Sequence, residues 1–291
     1  MTLGFSTYGM KTLTAIEAVK AVAKIGFDAV ELCCLPDFHG DPASLSPAAR
    51  KDLASTIGDS GLRLVALMEN LPLHVDDKTF AANLERLKRV CELSAQLSPQ
   101  SPPIVETVMG GAAGKLDDLM DSFARRLSDY ASIAKQAGVP MAVKPHRMNA
   151  VDSPARMIRL LNHAAQPRYL SMVYDWSHYA QRDDLKDADG KPVTIEGTVK
   201  ESLPYTSFVA VKDVVFEKGK AVFKLPGETG QTDNATVVKT LHAGGYTGDV
   251  NCEVSSQIWK APGYDAIAAA TASYKAMSAA FEKAGVPRNK R

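Results

Sequence analysis

Charged side chains recur in this sequence directly after short apolar runs. Such runs predict buried strands, and a charge at the end of one is costly unless it meets a partner or a polar site. The residues in this position are Glu31, Glu69, Glu106, Lys144 with His146, Asp175 with His178, Lys212 with Asp213, and Glu253. Acids, ammonium groups and imidazoles gathered on one rim would serve proton transfer or the binding of a polar ligand. Any single member has an equally good explanation as a surface charge, but the set favours a site.

The segment Tyr174-Asp175-Trp176-Ser177-His178 is the sharpest local cluster. Asp175 and His178 are three residues apart, so a turn between them would direct both side chains to one place. A bare Asp-x-x-His is weak evidence, because many such tetrapeptides only cap helices. Directly after a predicted strand, it indicates two members of the same site.

The residues that carry this chemistry lie on a regular alternation of strand and helix. The predicted strands are Leu3–Ser6, Asp28–Leu32, Arg63–Leu67, Pro103–Thr107, Val139–Lys144, Leu170–Tyr174, Ser207–Val211 and Val250–Val254. The predicted helices are Ala15–Ile25, Pro47–Ser60, Phe80–Leu97, Leu116–Ala137, Ser153–Ala164, a weak helix in the polar segment 181–200, one beginning with Asn234 as its N-cap, and Tyr264–Ala284. Eight alternations over 291 residues predict an α/β fold of the (β/α)8 TIM-barrel type.

The domain organisation follows from the same pattern. We predict a single barrel over residues 1–286 and a frayed C-terminal tail over 287–291. Two short apolar runs, Val214–Phe216 and Ala221–Phe223, flank Glu217-Lys218-Gly219-Lys220 and predict a small hairpin after strand seven. A doubly wound open sheet is the alternative fold, but no Gly-x-Gly-x-x-Gly follows the first strand.

The closing stretch of the chain carries a family resemblance. Leu225-Pro226-Gly227-Glu228-Thr229-Gly230 precedes a helix, and Gly245-Tyr246-Thr247-Gly248 leads into the last strand and Glu253. With Gly26–Leu32, Tyr174–His178 and Val211–Asp213, this stretch resembles the xylose-isomerase-like TIM barrels, which include sugar isomerases and epimerases. The resemblance covers essentially the whole chain, although the PGETG loop is one residue longer than the family pattern.

The resemblance implies a sugar or sugar-derivative isomerase or epimerase that moves a proton next to a carbonyl group. In the family, four ligands hold one divalent metal, usually Mn, Mg, Co or Zn. They are a Glu ending strand five, an Asp ending strand six, a His on strand seven and a final Glu. Asp175 and Glu253 match two of these positions, whereas Lys144 stands in place of the Glu and Ala210 in place of the His.

This departure leads to the hypothesis that the barrel has no cofactor. An ammonium group at Lys144 would satisfy Asp175 and Glu253 and would repel a divalent ion. The alternative is that the strand register differs and that His146 or His178 replaces a missing ligand. In that case Asp175 and Glu253 would still bind Mn, Mg, Co or Zn.

The resemblance and the residue types together assign expected roles. Glu253, Lys144 and Asp175 are the catalytic candidates, with Lys144 stabilising an enediolate oxyanion in preference to forming a Schiff base. The substrate-binding candidates are His178, Lys212, His146, Glu31, Glu69 and Trp176. Trp176, Trp259 and Phe38 are candidates for an apolar wall against a sugar ring.

Two other functions stay open at this stage. The first is a metal-independent lyase or dehydratase acting on a polyol or keto acid through Lys144. The second is a non-catalytic barrel that binds a ligand or a partner subunit. Family members often form dimers or tetramers, so a homo-oligomer is an expectation of the resemblance only.

Composition excludes several partners. The chain has 34 Lys and Arg against 33 Asp and Glu, which gives no electrostatic case for nucleic acid, and its six histidines are too few for a three-metal DNA-repair site. No apolar run is long enough for a membrane span, and the first residues lack the features of a signal peptide. Cys33, Cys34, Cys91 and Cys252 suit neither a disulfide framework nor a metal knuckle. We therefore expect a cytoplasmic protein with buried free thiols.

Overall fold

Eight parallel strands close into a barrel in the computed structural model, which describes residues 1–165, 168–187 and 189–289. The order around the barrel is β1, β10, β7, β6, β5, β4, β3, β2. The barrel strands are β1 (Thr2–Ser6), β2 (Ala29–Cys33), β3 (Arg63–Met68), β4 (Ile104–Thr107), β5 (Met141–Val143), β6 (Leu170–Tyr174), β7 (Thr206–Val211) and β10 (Asp249–Cys252). The predicted fold class is therefore confirmed, and all eight predicted barrel strands are present.

Helices follow the strands around the outside of the barrel. In the described residues they are α1 (Ala15–Ile25), α2 (Pro47–Asp59), α3 (Asp77–Leu97), α4 (Leu116–Ala137), α5 (Pro154–Ala164), α6 (Ile195–Ser202), α7 (Asn234–Ala243), α8 (Ser256–Trp259) and α9 (Ala266–Ala284). Short 3-10 turns cover Thr7–Met10, Trp176–His178 and Leu203–Tyr205. The weak helix predicted in the polar segment 181–200 is α6, and it begins only at Ile195.

Local capping explains most helix boundaries, and it corrects one prediction. Thr14 and Glu17 form a reciprocal capping box at the start of α1, and the Ser46 side chain caps α2 as predicted. The N-cap of α7 is Asp233 and not Asn234, because the Asp233 carboxylate accepts from the backbone N–H of Thr236. Asn234 is the first helical residue. The short helix α8 was not predicted, since four residues show no apolar period.

The hairpin predicted after strand seven is confirmed. It consists of the antiparallel strands β8 (Asp213–Glu217) and β9 (Lys220–Lys224), which pair with each other and lie outside the barrel sheet. Asp213, which follows Lys212 at the end of β7, accepts hydrogen bonds from the backbone N–H groups of Gly227 and Thr229 at 3.1 and 3.0 Å. Asp213 therefore organises the PGETG loop that returns the chain from the hairpin to α7.

Small side chains occupy the barrel interior below the rim. Ala29, Ala66, Ala142 and Ala210 belong to one buried cluster inside the barrel. A Cβ atom at Gly4 would lie 2.5 Å from the Asn251 side-chain oxygen, so the close approach of β1 to β10 requires glycine there. Val65, Val173 and Phe208 complete the same cluster, so this layer of the barrel interior is apolar.

The remaining predictions concern the tail, the thiols and the membrane. The Arg288 guanidinium pairs with Asp28 at 3.0 Å, and the Asn289 N–H donates to the Met1 carbonyl at 2.8 Å. The last two residues of the predicted tail lie outside the described residues.

All four cysteines are free and buried, as predicted. Across residues 1–165, 168–187 and 189–289, no helix is long and apolar enough to span a membrane.

Candidate active site

Five charged residues meet at the C-terminal end of the barrel. Glu106 lies in β4, and Lys144, Asp175, Lys212 and Glu253 directly follow or closely follow the ends of β5, β6, β7 and β10. Because the strands are parallel and the barrel is closed, these positions share one rim although they span most of the chain. All five side chains are buried.

Two ammonium groups and two carboxylates form a continuous chain of ion pairs, called here the ammonium–carboxylate cluster (Asp175, Lys212, Glu253 and Lys144). The Lys144 ammonium lies 2.5 Å from Glu253 Oε2, and the Lys212 ammonium lies 2.8 Å from Glu253 Oε1. Lys212 also donates to Asp175 Oδ2. Glu253 therefore bridges the two lysines, and each of its oxygens faces an ammonium group.

The cluster is ionised in spite of its burial. Burial opposes the charged form of Asp175, yet Lys212 and His178 hold the pKa of its carboxyl well below the usual range. In Glu253, burial is likewise outweighed by Lys144 and Lys212, which lower its pKa to about 2. Burial alone would lower the pKa of Lys144, but Glu106 and Glu253 raise it well above its ordinary value. The net result is two full ammonium charges at the barrel centre.

A second pair of acids lies beside the cluster and behaves differently. Glu106 Oε2 lies 3.4 Å from the Lys144 ammonium, and Glu31 accepts from the Asn251 side-chain amide at 3.1 Å. Burial, with the Glu106 charge next, raises the pKa of Glu31 well above its ordinary value. Burial also raises the pKa of Glu106, although Lys144 opposes that shift. The Glu31–Glu106 pair is therefore able to hold a proton that the ionised cluster cannot.

Two histidines with rings in contact at a tilt of 41° lie beside the cluster. The ring centroids of His146 and His178 are 4.1 Å apart. His146 Nδ1 lies 2.7 Å from the Arg147 carbonyl, so it carries the hydrogen and leaves the Nε2 lone pair free. Burial lowers the pKa of His178 to about 3, and it also lowers that of His146. Both imidazoles are neutral near pH 7, and His178 Nε2 faces Asp175 at 3.4 Å.

The structure places the other predicted site residues in more varied settings. Glu69 is bound by the Arg86 guanidinium at 2.7 and 3.0 Å, so its charge is neutralised within the fold. Trp176 is half-buried and packs against the main hydrophobic core. Trp259 and Phe38 do form an apolar wall, but its third member is Tyr8, with ring centroids between 5.3 and 5.9 Å apart.

A cavity of about 170 Å³ opens above Lys144. Its lining includes Glu106, Lys144, His146 and Glu253 on one side, and Tyr8 and Glu69 on another. Sequence reasoning placed Glu106 at a strand end but assigned it no role. The signal was its position after Pro103–Val105 in the same pattern as the other rim acids, and only the barrel register shows it beside Lys144.

The residues present do not fit a divalent metal ion. The two Glu253 oxygens and one Asp175 oxygen, which would be the remaining metal ligands, each face an ammonium group instead. Two positive charges at hydrogen-bonding distance from these oxygens oppose a dication at the same place. Within the described part of the chain, no group of three or more His, Cys, Asp or Glu side chains is arranged to hold a metal.

The fold and the polar rim define the class of (β/α)8 barrels whose candidate site lies at the carboxyl ends of the strands. The family profile of the xylose isomerase-like TIM barrel matches residues 19–277. The chain belongs to this family, as the sequence motifs predicted. No curated protein sequence matches the chain significantly.

Solved structures with the same fold come from several proteins of low sequence identity. A zinc-bound IolI protein superposes with a TM-score of 0.77 at 19% identity, covering 97% of this chain and 99% of that one. An L-ribulose 3-epimerase gives 0.71 at 20% identity, with coverage of 100% and 99%. A xylose isomerase-like TIM barrel/4-hydroxyphenylpyruvate dioxygenase fusion protein gives 0.75 at 18% identity, and this chain spans 43% of its length. At these identities the similarity establishes the fold.

Proposed function

We propose that this protein is a sugar or sugar-derivative isomerase or epimerase that transfers a proton next to a carbonyl group without a divalent metal. Family membership and the epimerase among the structural neighbours support the substrate class, a small carbohydrate or polyol. The observation that carries the proposal is the pair of ammonium groups, Lys144 and Lys212, held by Glu253 at the centre of the rim.

Lys144 takes the electrophilic role in this proposal. Its ammonium group lines the small cavity, so a substrate carbonyl oxygen placed there would develop negative charge next to a fixed positive charge. When the hydroxyl-bearing carbon next to the carbonyl loses its proton, the electron pair of the broken C–H bond forms a carbon–carbon double bond and the carbonyl π electrons move onto the oxygen. The product is an enediolate whose negative charge lies on that oxygen. Lys212 and Asp175 hold Glu253, and therefore Lys144, in position.

Glu106 and His146 take the proton-transfer role. Glu253 was the acid/base candidate from sequence, but a carboxylate with a pKa of about 2 between two ammonium groups is a weak base. Glu106 has a raised pKa, and His146 has a free Nε2 lone pair, and both residues line the same cavity. Glu106 removes the proton, and Glu106 or His146 returns a proton to the same carbon or to the neighbouring carbon.

The geometry and charge of Lys144 favour the electrostatic role over Schiff-base formation. Attack on a carbonyl carbon requires the neutral amine, and the pKa of Lys144 is raised well above its ordinary value. Treatment with borohydride and a keto sugar should therefore leave the protein mass unchanged. A stable adduct on Lys144 would contradict the electrostatic role.

One observation favours a second candidate, the metal-independent lyase or dehydratase acting on a polyol or keto acid. The pKa values of both Glu31 and Glu106 are raised, and Glu106 lines the small cavity, so this pair can hold a proton next to the substrate. From the enediolate, that proton could be given to a hydroxyl group on the next carbon, which would leave as water. Proton return to carbon gives an isomer or epimer, whereas proton transfer to the leaving hydroxyl gives an elimination product.

The test is hydrogen exchange in D₂O with a panel of aldoses, ketoses and keto acids, followed by proton NMR. The protein is first treated with chelator and its metal content measured by mass spectrometry. We expect loss of the signal from the hydrogen next to the carbonyl in at least one compound, at a rate unchanged by added chelator. An isomer, an epimer or an unsaturated product then separates the two candidate reactions.

Two variants and two matched controls sharpen this test. Lys144→Met and Glu106→Gln should each abolish most of the exchange, while Lys20→Met and Glu282→Gln, at exposed positions, should leave it intact. Exchange that requires added Mn or Zn, or that survives both rim substitutions, contradicts the mechanism. Ligand binding without exchange or elimination across the panel would favour a non-catalytic binding barrel.

A further inference from the structure

A second, larger cavity adjoins the small one. It has a volume of about 620 Å³, and it shares His146 with the cavity above Lys144. Its walls are the loop after β5, around Met148, and the β8–β9 hairpin, around Phe223. The small cavity alone, at about 170 Å³, is below the range of about 300–1,000 Å³ that is typical of ligand sites. The two adjoining cavities together would accommodate a ligand made of two linked groups, one in each cavity.

The hairpin is fixed against the site by specific contacts. The Phe223 backbone N–H donates to the Gln257 side-chain oxygen at 2.9 Å. The Phe223 ring lies 5.4 Å from the His178 ring, and the Lys212 ammonium lies 5.4 Å from its centroid. Phe223 therefore forms the partition between the ammonium–carboxylate cluster and the larger cavity.

The loop opposite the hairpin carries an unusual exposed side chain. Met148 is 74% exposed, and the other exposed large hydrophobic residue in the described chain, Ile267, is 42% exposed. Its backbone has a φ of 73°, in the left-handed region that disfavours a residue with a Cβ atom. An exposed methionine held in a strained turn at the edge of a cavity is typical of a surface that contacts a ligand.

The two arginines that line this cavity, Arg182 and Arg147, already have partners within the protein. Arg182 pairs with Asp152 at 2.8 Å and also binds Asp184. The Arg147 guanidinium donates to the Ala180 carbonyl at 2.7 Å and stacks over the Phe216 ring at 4.8 Å. Apart from the exposed Lys220, what the cavity offers a ligand is thus mainly the Phe223 ring, the Met148 thioether and the small residues Ala113 and Ala221.

We propose that this second cavity is a subsite for a planar apolar group, such as an aryl substituent, attached to the carbohydrate or polyol that occupies the small cavity. The inference rests on the proposed function for the identity of that carbohydrate part. The Phe223 ring and the Met148 thioether contact the planar group, and His146 lies at the junction of the two parts. The substrate class is then an aryl-substituted sugar that keeps a carbonyl group for the proposed proton transfer, and aryl glycosides without that carbonyl serve as probes of binding alone.

The test compares binding within matched pairs of probes. Methyl and phenyl β-glycosides of xylose, glucose and galactose are titrated by calorimetry, so that the ratio of affinities within a pair cancels the contribution of the sugar. We expect at least one phenyl glycoside to bind about tenfold more tightly than its methyl partner. Phe223→Ala and Met148→Ala should bring that ratio close to one. Ile267→Ala, at the other exposed hydrophobic residue, should leave it unchanged.

Lys144→Met separates this inference from the proposed reaction. It should weaken both members of a pair alike and keep their ratio, because Lys144 contacts only the sugar part. Equal affinities within all pairs, no binding of any glycoside, tighter binding of a hexose monophosphate, or a ratio insensitive to both cavity variants would each overturn the subsite. Because affinity is measured without turnover, these results are independent of whether proton exchange occurs.

Discussion

At the scale of the residue, the main finding is how burial divides the site into groups with different protonation. Glu253 and Asp175 stay ionised because ammonium groups contact them directly. Glu106 faces the Lys144 ammonium at a longer distance, Glu31 accepts only from the Asn251 amide, and their raised pKa values make them the groups that can hold a proton. Glu253 and Glu106 are both glutamates, yet their neighbours lower the pKa of the first and raise that of the second.

A first prediction concerns the Lys212–Asp175 pair. Lys212→Met leaves Asp175 buried without its cation, and we expect a loss of about 3–5 kcal/mol in the free energy of unfolding. Lys212→Met combined with Asp175→Asn should cost less than the sum of the two single changes, because no uncompensated charge remains. Urea unfolding of the four proteins measures this coupling. Additive effects would show that the ion pair contributes no interaction energy.

A second prediction concerns pH and His39, which is largely buried outside the rim cluster. Burial lowers the pKa of His39 to about 4 from 6.5. The unfolded chain therefore binds the proton at higher pH than the folded chain, and stability decreases as pH falls below about 6.5, by at most about 1.4 kcal/mol per pH unit. This loss ends near the folded pKa.

Urea unfolding at pH 7.5, 6 and 5 should show a smaller pH dependence for His39→Gln than for the unchanged protein. His163→Gln is the control, since His163 is 48% exposed and pairs with Asp121 at the surface. Identical pH dependence in the His39→Gln variant and the unchanged protein would contradict the assignment.

At the scale of the element, strand ends position the charged residues, and the segments between strands shape the cavities. The ends of β5, β6, β7 and β10 place the ammonium–carboxylate cluster, and their parallel register gives it little freedom. The hairpin β8–β9 and the loop after β5 shape the space above it. Variation in these two segments would change the ligand while leaving the charged centre intact.

A third prediction concerns the strained turn at Met148. Met148→Gly removes the steric cost of the left-handed conformation, so the free energy of unfolding should increase by about 1 kcal/mol. Met148→Ala removes the same long side chain but keeps the Cβ atom, so it should show no such gain. Equal stability of the two variants would show that the turn is not strained. Both variants should lose the preference for phenyl glycosides.

At the scale of the whole molecule, the chain is a barrel of the xylose isomerase-like family whose centre carries two lysines, Lys144 and Lys212, beside Asp175 and Glu253. Closure of the barrel brings these ammonium groups and carboxylates together from the ends of β5, β6, β7 and β10. Removing the two positive charges would leave the same carboxylates available to a dication.

A fourth prediction follows from this exchange. Lys144→Glu combined with Lys212→His places a carboxylate and an imidazole next to Asp175 and Glu253, a donor set that suits Mn or Zn. After incubation with either metal and dialysis, we expect about one equivalent in this variant and substoichiometric metal in the unchanged protein. Circular dichroism checks that the variant is folded. One tightly bound equivalent in the unchanged protein, lost with Asp175→Ala, would contradict the metal-independent proposal.

Much of this molecule is determined locally and was predictable from sequence. The eight strands and the main helices follow from apolar periodicity, capping residues and terminal glycines, which act within a few positions along the chain. The placement of Lys144 and Asp175 at strand ends follows in the same way. The family motifs added the expectation that these ends surround one site.

The tertiary structure decided which of these residues meet and what charge each one carries. Lys144 and Glu253 are 109 positions apart, and only closure of the barrel brings their atoms together. Glu69 is neutralised by Arg86 from α3. The pKa of Glu106 is raised and that of Glu253 is lowered, because each pKa depends on neighbours that lie far away in sequence. Local patterns determine where a side chain can point, whereas burial and long-range packing determine its partner, and electrostatics in a buried site depends on the partner.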